Sequence, residues 1–426
     1  MTRSYQATHD LTAVSANLRE TAINTEKTLD TTMLCALGDI INLEHRRESN
    51  ASEATGKEEP DTLYDLGTLA NGSFNFEKAQ PQHIAFLAAY GLGLCASAAA
   101  GSGYQHTITP ISGDLDASRS LPSFTAAQRL GNNVLRRLFA SMFVDSLTVT
   151  FARDAWVKAA GSLKGTGKYT NNVTEEIISA NGNAASLTLA VNAVQGADAP
   201  TRLQNVQRIR VNLSGSVWTE VAFSAVSGAT PAVITITSPG GASTPFNYKV
   251  LYIPAETGWM TFPARINETP LRVSQMTLNV GGIWTGSAFS GGRALQAEMK
   301  QIEWSLQNSL QVQFVPGAGG TYASRAMRDG RSQKLKLDRE FREFIMQQHL
   351  LDNDTIGVYI LVEGAVYDTP HKYQAEFIFP KVGVLAAPVS VDGKRLAEVG
   401  DLQVLEDDTY GSVIVKVKNL QVSYAA

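Results

Sequence analysis

Apolar and polar residues alternate without a charge cluster from residue 302 to 314. The even positions are Ile302, Trp304, Leu306, Asn308, Leu310, Val312 and Phe314; the odd ones are Glu303, Ser305, Gln307, Ser309, Gln311 and Gln313. Successive side chains of a strand point to opposite faces, so this spacing predicts one ribbon with an apolar face, broken only by Asn308, and a wet one. At ~3.3 Å per residue the ribbon spans about 40 Å, roughly twice a typical strand. Exposed strands usually carry Lys and Glu, which discourage edge-to-edge pairing. Here six wet positions hold one charge. Such a face fits the solvated side of a long sandwich strand. It also fits the wall of a water-filled lumen through which something highly charged slides.

The pattern recurs at residues 144–151, where Leu147, Val149 and Phe151 oppose Ser146, Thr148 and Thr150. A turn at Arg153-Asp154 sends the chain back through 156–165, with Val157, Ala159 and Leu163 on one side, so the pair reads as a long β-hairpin. Its return strand carries Lys158 and Lys164. Further strands are expected at 72–77, 273–280, 356–363, 373–379 and 412–422. The run 134–139 fits either a helical turn or a strand, after a turn at Gly131-Asn132-Asn133. A helix is expected over 82–90, with Pro81 in its first turn, Ile84, Leu87, Ala88 and Tyr90 as its stripe, and Gly91 as its stop. A second is expected from Asp338 to about His349, burying Phe341, Phe344 and Ile345. Pro380 opens a long excursion that includes Glu406, Asp407 and Asp408. Residues 44–61 are dense in charge without periodicity and read as an exposed loop, either solvated or a contact arm. From 179 to 253 short β-like runs recur between turns, which suggests a small inserted sandwich. The chain is therefore divided into 1–178, an insertion at 179–255, and 256–426. The fold class is mainly β with one or two short helices.

Composition narrows the function classes. A net charge of −4 gives no basic balance of the kind that grips nucleic acid. Cys35 and Cys95 lie far apart with no paired spacing, as expected for reduced thiols. The opening Met-Thr-Arg-Ser-Tyr-Gln lacks the apolar core of a secretory signal. Residues 84–101 carry no charge and reach the ~18-residue length of a membrane span. Gly91, Gly93 and Ser97 interrupt that run, which reads better as a buried helix followed by a small-residue loop. Gly91 to Ala96 matches G-x-G-x-x-A, yet a helix precedes it where a dinucleotide site needs a strand. Residues 161–169 glance at a phosphate loop, with the wrong glycine spacing and Tyr169 where Ser or Thr would hold magnesium. No nucleophile elbow, zinc-protease helix, calcium loop or paired-cysteine pattern occurs, and the six histidines are scattered. No catalytic, metal or cofactor residue is therefore expected, and the chain reads as non-enzymatic. Arg325, Arg328, Arg331, Lys334 and Lys336 form a basic run that fits phosphate contact, plain solvated surface, or an acidic surface on another copy.

In their order, these features resemble the tail tube (major tail) proteins of tailed bacteriophages. The resemblance rests on the charged 44–61 loop, Gly72-Ser-Phe-Asn-Phe-Glu77, the helix ending Tyr90-Gly-Leu-Gly93, and His106. It continues through Leu121-Pro-Ser-Phe-Thr125, the 144–165 hairpin, Trp304-Ser-Leu-Gln-Asn-Ser-Leu310, Glu363-Gly364, Phe379-Pro380 and the 413–419 strand. It covers most of the chain outside the insertion. The resemblance implies a sandwich or barrel fold whose long hairpins form a continuous inner β-barrel when subunits close into rings, expected to be hexameric. Rings would stack into a hollow conduit for genome ejection, in a virion tail assembled in the bacterial host's cytoplasm. The lumen would hold the tape measure protein and then double-stranded DNA, with terminator and baseplate or distal tail proteins at the ends and no membrane span. Glu303, Ser305, Gln307, Ser309, Gln311, Gln313, Ser146, Thr148 and Thr150 would line the bore. Arg325, Arg328, Arg331, Lys334 and Lys336 would meet Glu406, Asp407 and Asp408 across ring or subunit interfaces. Alternatives are another β-rich virion protein, such as a tail terminator or decoration protein, or a carbohydrate-binding adhesion module.

Overall fold

The computed structural model describes residues 8–111, 119–131, 134–213, 217–240, 245–317 and 320–426. The expected absence of a signal at the N-terminus, and Asn132-Asn133 of the expected turn, lie outside them. The chain is mainly β, with several antiparallel sheets, none of them closed into a barrel among the described residues. It divides into a larger unit (Ala13–Ala126, Phe139–Lys168, Pro263–Ala426) and a smaller one (Ala127–Leu138 and Tyr169–Phe262 with the residues up to Thr12). In chain order the elements of interest are β1 (Asn42–Ser49), β2 (Leu63–Phe76), α1 (Pro81–Leu92), β3 (Leu135–Ala152) and β4 (Lys158–Gly165). Next come β5 (Thr174–Asn181), α2 (Ala199–Asn205), β6 (Val206–Asn212), β7 (Trp218–Glu220) and β8 (Pro245–Tyr252). The last group is β9 (Met299–Gln307), β10 (Leu310–Gln313), β11 (Arg325–Arg328), β12 (Ser332–Glu340), α3 (Ile345–Asp352) and β13 (Arg395–Val404).

In the larger unit, β1, β2, β4, β3, β9, β12 and β13 pair side by side, each antiparallel to the next. Alternation gives this ladder an apolar face: Phe74, Ala159, Leu163, Leu147, Val149, Phe151, Ile302, Trp304, Leu306, Leu335, Leu337 and Leu402 are all buried. Trp304 meets Phe377 and Phe379 edge-on, at 5.6 and 5.8 Å between ring centroids. Helix α1 supports the same face, and all twelve of its residues are buried. A Cβ on Gly161 of β4 would sit 2.7 Å from the Leu87 side chain of α1, so a larger residue there would displace Leu87 where the helix crosses the strand. Pro81 occupies the first turn as expected, but the helix runs past Gly91 and ends at Gly93, whose φ of 106° closes it. A strand over Gly93–Ala100 follows where a small-residue loop was expected.

The 302–314 stretch is not one ribbon. β9 ends at Gln307, and β10 belongs to a separate two-stranded sheet with β11. The break is built by Asp145, which sits at a bulge in β3. Its carbonyl accepts the Asn308 N–H at 2.8 Å, and its carboxylate accepts the Leu310 N–H at 2.7 Å. Between them Ser309 adopts φ +47°, in the left-handed region. Asn308 is buried and its amide donates to the Gly91 and Val144 carbonyls, at 2.9 and 3.1 Å.

Three further expectations change. Residues 44–49 of the charged region lie in β1, hydrogen-bonded to β2; both faces of β1 are wet, so no alternation marks it. The helix expected from Asp338 begins only at Ile345, because β12 continues to Glu340; it buries Met346, while Phe344 is 50% exposed. Pro380 lies inside a strand (His371–Ala386), and the excursion after it contains two more strands, Val389–Asp392 and β13. The ambiguous 134–139 run is the start of β3.

The smaller unit has two sheets, β5–β8–β6–β7 and a three-stranded one (Ser186–Thr188, Val233–Ile236, Phe223–Val226). Leu187, Ile209, Val211, Ile234, Ile236, Tyr248, Val250 and Tyr252 form one buried cluster between them, the packing of a sandwich.

Candidate functional site

The face of the ladder opposite its core is polar along its whole width. Paired residues in antiparallel strands share a face, so the register gives its rows directly. One row runs Ser73, Ser162, Ser146, Gln307, Ser332. The next runs Asn75, Ala160, Thr148, Ser305, Lys334, Gln403, and the third Lys158, Thr150, Glu303, Lys336, Asp401. Six of the nine expected bore residues thus lie in adjoining positions: Ser146, Thr148, Thr150, Glu303, Ser305 and Gln307. Ser309 sits in the break, and Gln311 and Gln313 project from β10, on the separate sheet; all three are exposed. Ser146 and Ser162 share a hydrogen bond at 2.6 Å, and the Thr150 hydroxyl donates to Glu303 at 3.4 Å. Ser146, Ser162 and Thr150 are thus engaged sideways within the wall, with acceptor capacity left over for water.

Sequence reasoning missed the flanks. Asn71, Ser73 and Asn75 of β2 belong to this face, and so do Lys334 and Lys336 of the basic run, which sit in strand β12. The signal was present in Lys334-Leu335-Lys336-Leu337, a period-two alternation. A hollow of about 340 Å³ opens at that edge, between Glu303, Ser305, Lys334, Lys336, Asp401 and the bulging Leu385. The cations of the face mostly have carboxylates beside them. Lys158 is paired with Glu77, Lys164 reaches Asp145 at 3.1 Å, and Lys336 stands in register between Glu303 and Asp401. Lys334 has the uncharged Ser305 and Gln403 as its cross-strand neighbours.

The expected interface residues are scattered. Arg325 is exposed, Arg328 is buried, and Arg331 is half-buried. Burial and the neighbouring Arg328 lower the Arg331 guanidinium to about 10, while Glu406 of the same chain pulls it back. Glu406 thus serves these arginines within one copy, and Asp407 caps its own turn by accepting the Thr409 and Tyr410 N–H groups at 2.9 Å. Asp408 is exposed.

Asp145 ties the wall to the break beside it, since its carboxylate also receives Lys164 and, at 3.4 Å, the Gln307 amide. Asp145→Ala strands the buried Leu310 N–H, and we expect a loss of about 1–3 kcal/mol in denaturant unfolding. Lys164→Met, which removes a half-exposed partner, should cost under about 1 kcal/mol. Equal losses in the two variants would refute this division of roles.

Among the described residues no group of three or more His, Cys, Asp or Glu side chains is placed to hold a metal ion. No helix among them is long and apolar enough to cross a membrane. A comparison with protein-family models and with curated proteins finds no match to this chain.

Proposed function

We propose that this chain is a non-enzymatic structural subunit that assembles into rings stacked as a hollow tube, of the kind that forms phage tails, with the polar ladder facing the bore. The observation that carries this reading is the block of Ser, Thr, Asn and Gln on one face of five adjoining strands, backed by a fully packed apolar face. A conduit for duplex DNA must stay wetted without gripping. Each unopposed Lys or Arg that meets a phosphate releases counterions and adds affinity. Hydroxyl and amide groups hydrate the wall without that penalty, and carboxylates beside Lys158, Lys164 and Lys336 mute those cations, leaving Lys334 without a charged cross-strand neighbour. β1 pairs only with β2 among the described pairings, so it offers a free edge that a neighbouring copy could extend. In this reading the tape measure protein and then DNA occupy the bore, terminator and distal proteins cap the ends, and the location is the virion tail.

Negative-stain imaging of the purified protein should show hollow polymers of constant width; dispersed monomers at every concentration would sink the proposal. Rings that never elongate would favour a terminator. Within polymers, a cysteine placed by Gln307→Cys should react with a small maleimide and resist a bulky polymer-linked one. Equal reaction with both would put this face on the outside.

A further inference from the structure

The outward face of the β5–β8–β6–β7 sheet carries a second candidate site, independent of the tube reading. Its rows are Ser179, Asn247, Asn212, Trp218; then Ile177, Lys249, Arg210, Glu220; then Glu175, Leu251, Arg208. Trp218 stands on the edge strand and leans inward, with the Lys249 ammonium 4.8 Å and the Arg210 guanidinium 5.9 Å from its ring centroid. Glu175 reaches both cations, Lys249 at 3.3 Å and Arg210 at 3.7 Å, and Arg208 approaches Glu220 at 4.0 Å. One carboxylate therefore serves two cations, and the face keeps a surplus positive charge. The Arg210 Nε–H, though buried, has no acceptor among the described residues.

We propose that this face binds an acidic oligosaccharide, with a pyranose C–H face stacked on Trp218 and the sugar carboxylate and hydroxyls received by Lys249, Arg210, Asn247 and Asn212. An indole presents a flat apolar surface beside polar groups that fix orientation, which is the pairing a pyranose needs. The surplus charge selects an acidic sugar over a neutral one. A protein partner would find Trp218, Ile177 and Leu251 as apolar anchors on a face otherwise polar and charged, and a nucleic acid would find a surplus of a single cation, where phosphate binding grows with the number of cations engaged. Four strands at ~4.8 Å spacing span about 14 Å, room for two or three sugar rings.

The test is calorimetric titration of the full chain at low salt with an oligogalacturonate, a neutral galacto-oligosaccharide of equal length, and a polyphosphate of equal charge. The oligogalacturonate should bind, and the neutral sugar about tenfold more weakly or not at all. Trp218→Ala should weaken uronate binding about tenfold, and Trp218→Phe less, with the thermal transition unchanged. Asn247→Ala, on an interior strand, should also weaken it and serves if Trp218→Ala unfolds the smaller unit. The proposal is overturned by no uronate binding, by undiminished binding in these variants, or by polyphosphate binding as tightly as the uronate.

Discussion

Replacing Arg339 by methionine is expected to destabilise the protein by about 3–5 kcal/mol, because it leaves the buried Glu398 without a cation and Glu298 with only Arg293, 3.8 Å away. Arg339 is 1% exposed and lies on the core face of β12. Its Nε donates to Glu398 at 2.7 Å, Nη1 to Glu298 at 2.9 Å, and Nη2 to the Glu343 carbonyl at 3.0 Å. Glu398 is fully buried on β13, directly across the ladder from Arg339. Burial raises its carboxyl above the ordinary range, and the Arg339 hydrogen bond and charge pull it back. Without the guanidinium the ionised form has no counter-charge, so a proton must be taken up or the region must open. Denaturant unfolding at neutral pH reads the loss directly, and mild acid should shrink the deficit as protonation relieves it. The double variant Arg339→Met, Glu398→Leu should recover at least about 1 kcal/mol, since an apolar pair can replace a buried ion pair. A single-variant loss under 1 kcal/mol, or no recovery in the double, would show that the network carries little stability.

Alternation in the sequence located the wall but could not say where its strands stop. From Ile302 to Leu310 every even position is buried, as one continuous strand would require. A left-handed residue at Ser309 restores the same parity on the far side of the break, so side-chain pattern reports which face a residue takes and not whether the backbone is continuous. Strand β1 illustrates the converse: it is wet on both sides, so it has no period, and its charges looked like a loop. The Arg339 network was invisible for a different reason. Its carboxylates lie 41 and 59 positions away, and local sequence showed only one more arginine beside a basic run. The lysines at 334 and 336 were legible as alternating positions, yet counting them as a charge cluster hid the strand they belong to.

The polar end of α1 holds two groups whose burial makes stability depend on pH with opposite signs. Glu268 is buried, and its carboxylate accepts the Gln82 N–H at 2.9 Å and the Leu420 N–H at 3.0 Å, linking the helix start to the last segment of the chain. Burial lifts its pKa from an ordinary 4.5 to about 7, with those two N–H bonds pulling the other way. The folded state therefore holds a proton that the unfolded chain has released, and stability falls as pH rises from about 4.5 to about 7. The size of that fall is about 3 kcal/mol, from ~1.4 kcal/mol per pKa unit. His83, one residue further along α1, works with the opposite sign. Burial lowers it to about 3, so its contribution is complete above 6.5 and is lost as pH falls toward 3. Between about 4.5 and 6.5 these two contributions nearly cancel one another. Glu268→Gln removes one slope and leaves the other. The stability of the native protein minus that of the variant, in which the other titrating groups cancel, should then decrease by about 3 kcal/mol between pH 4.5 and pH 7.5. Urea unfolding at four or five pH values measures both curves, and a difference that stays constant with pH would mean that Glu268 folds with its charge intact.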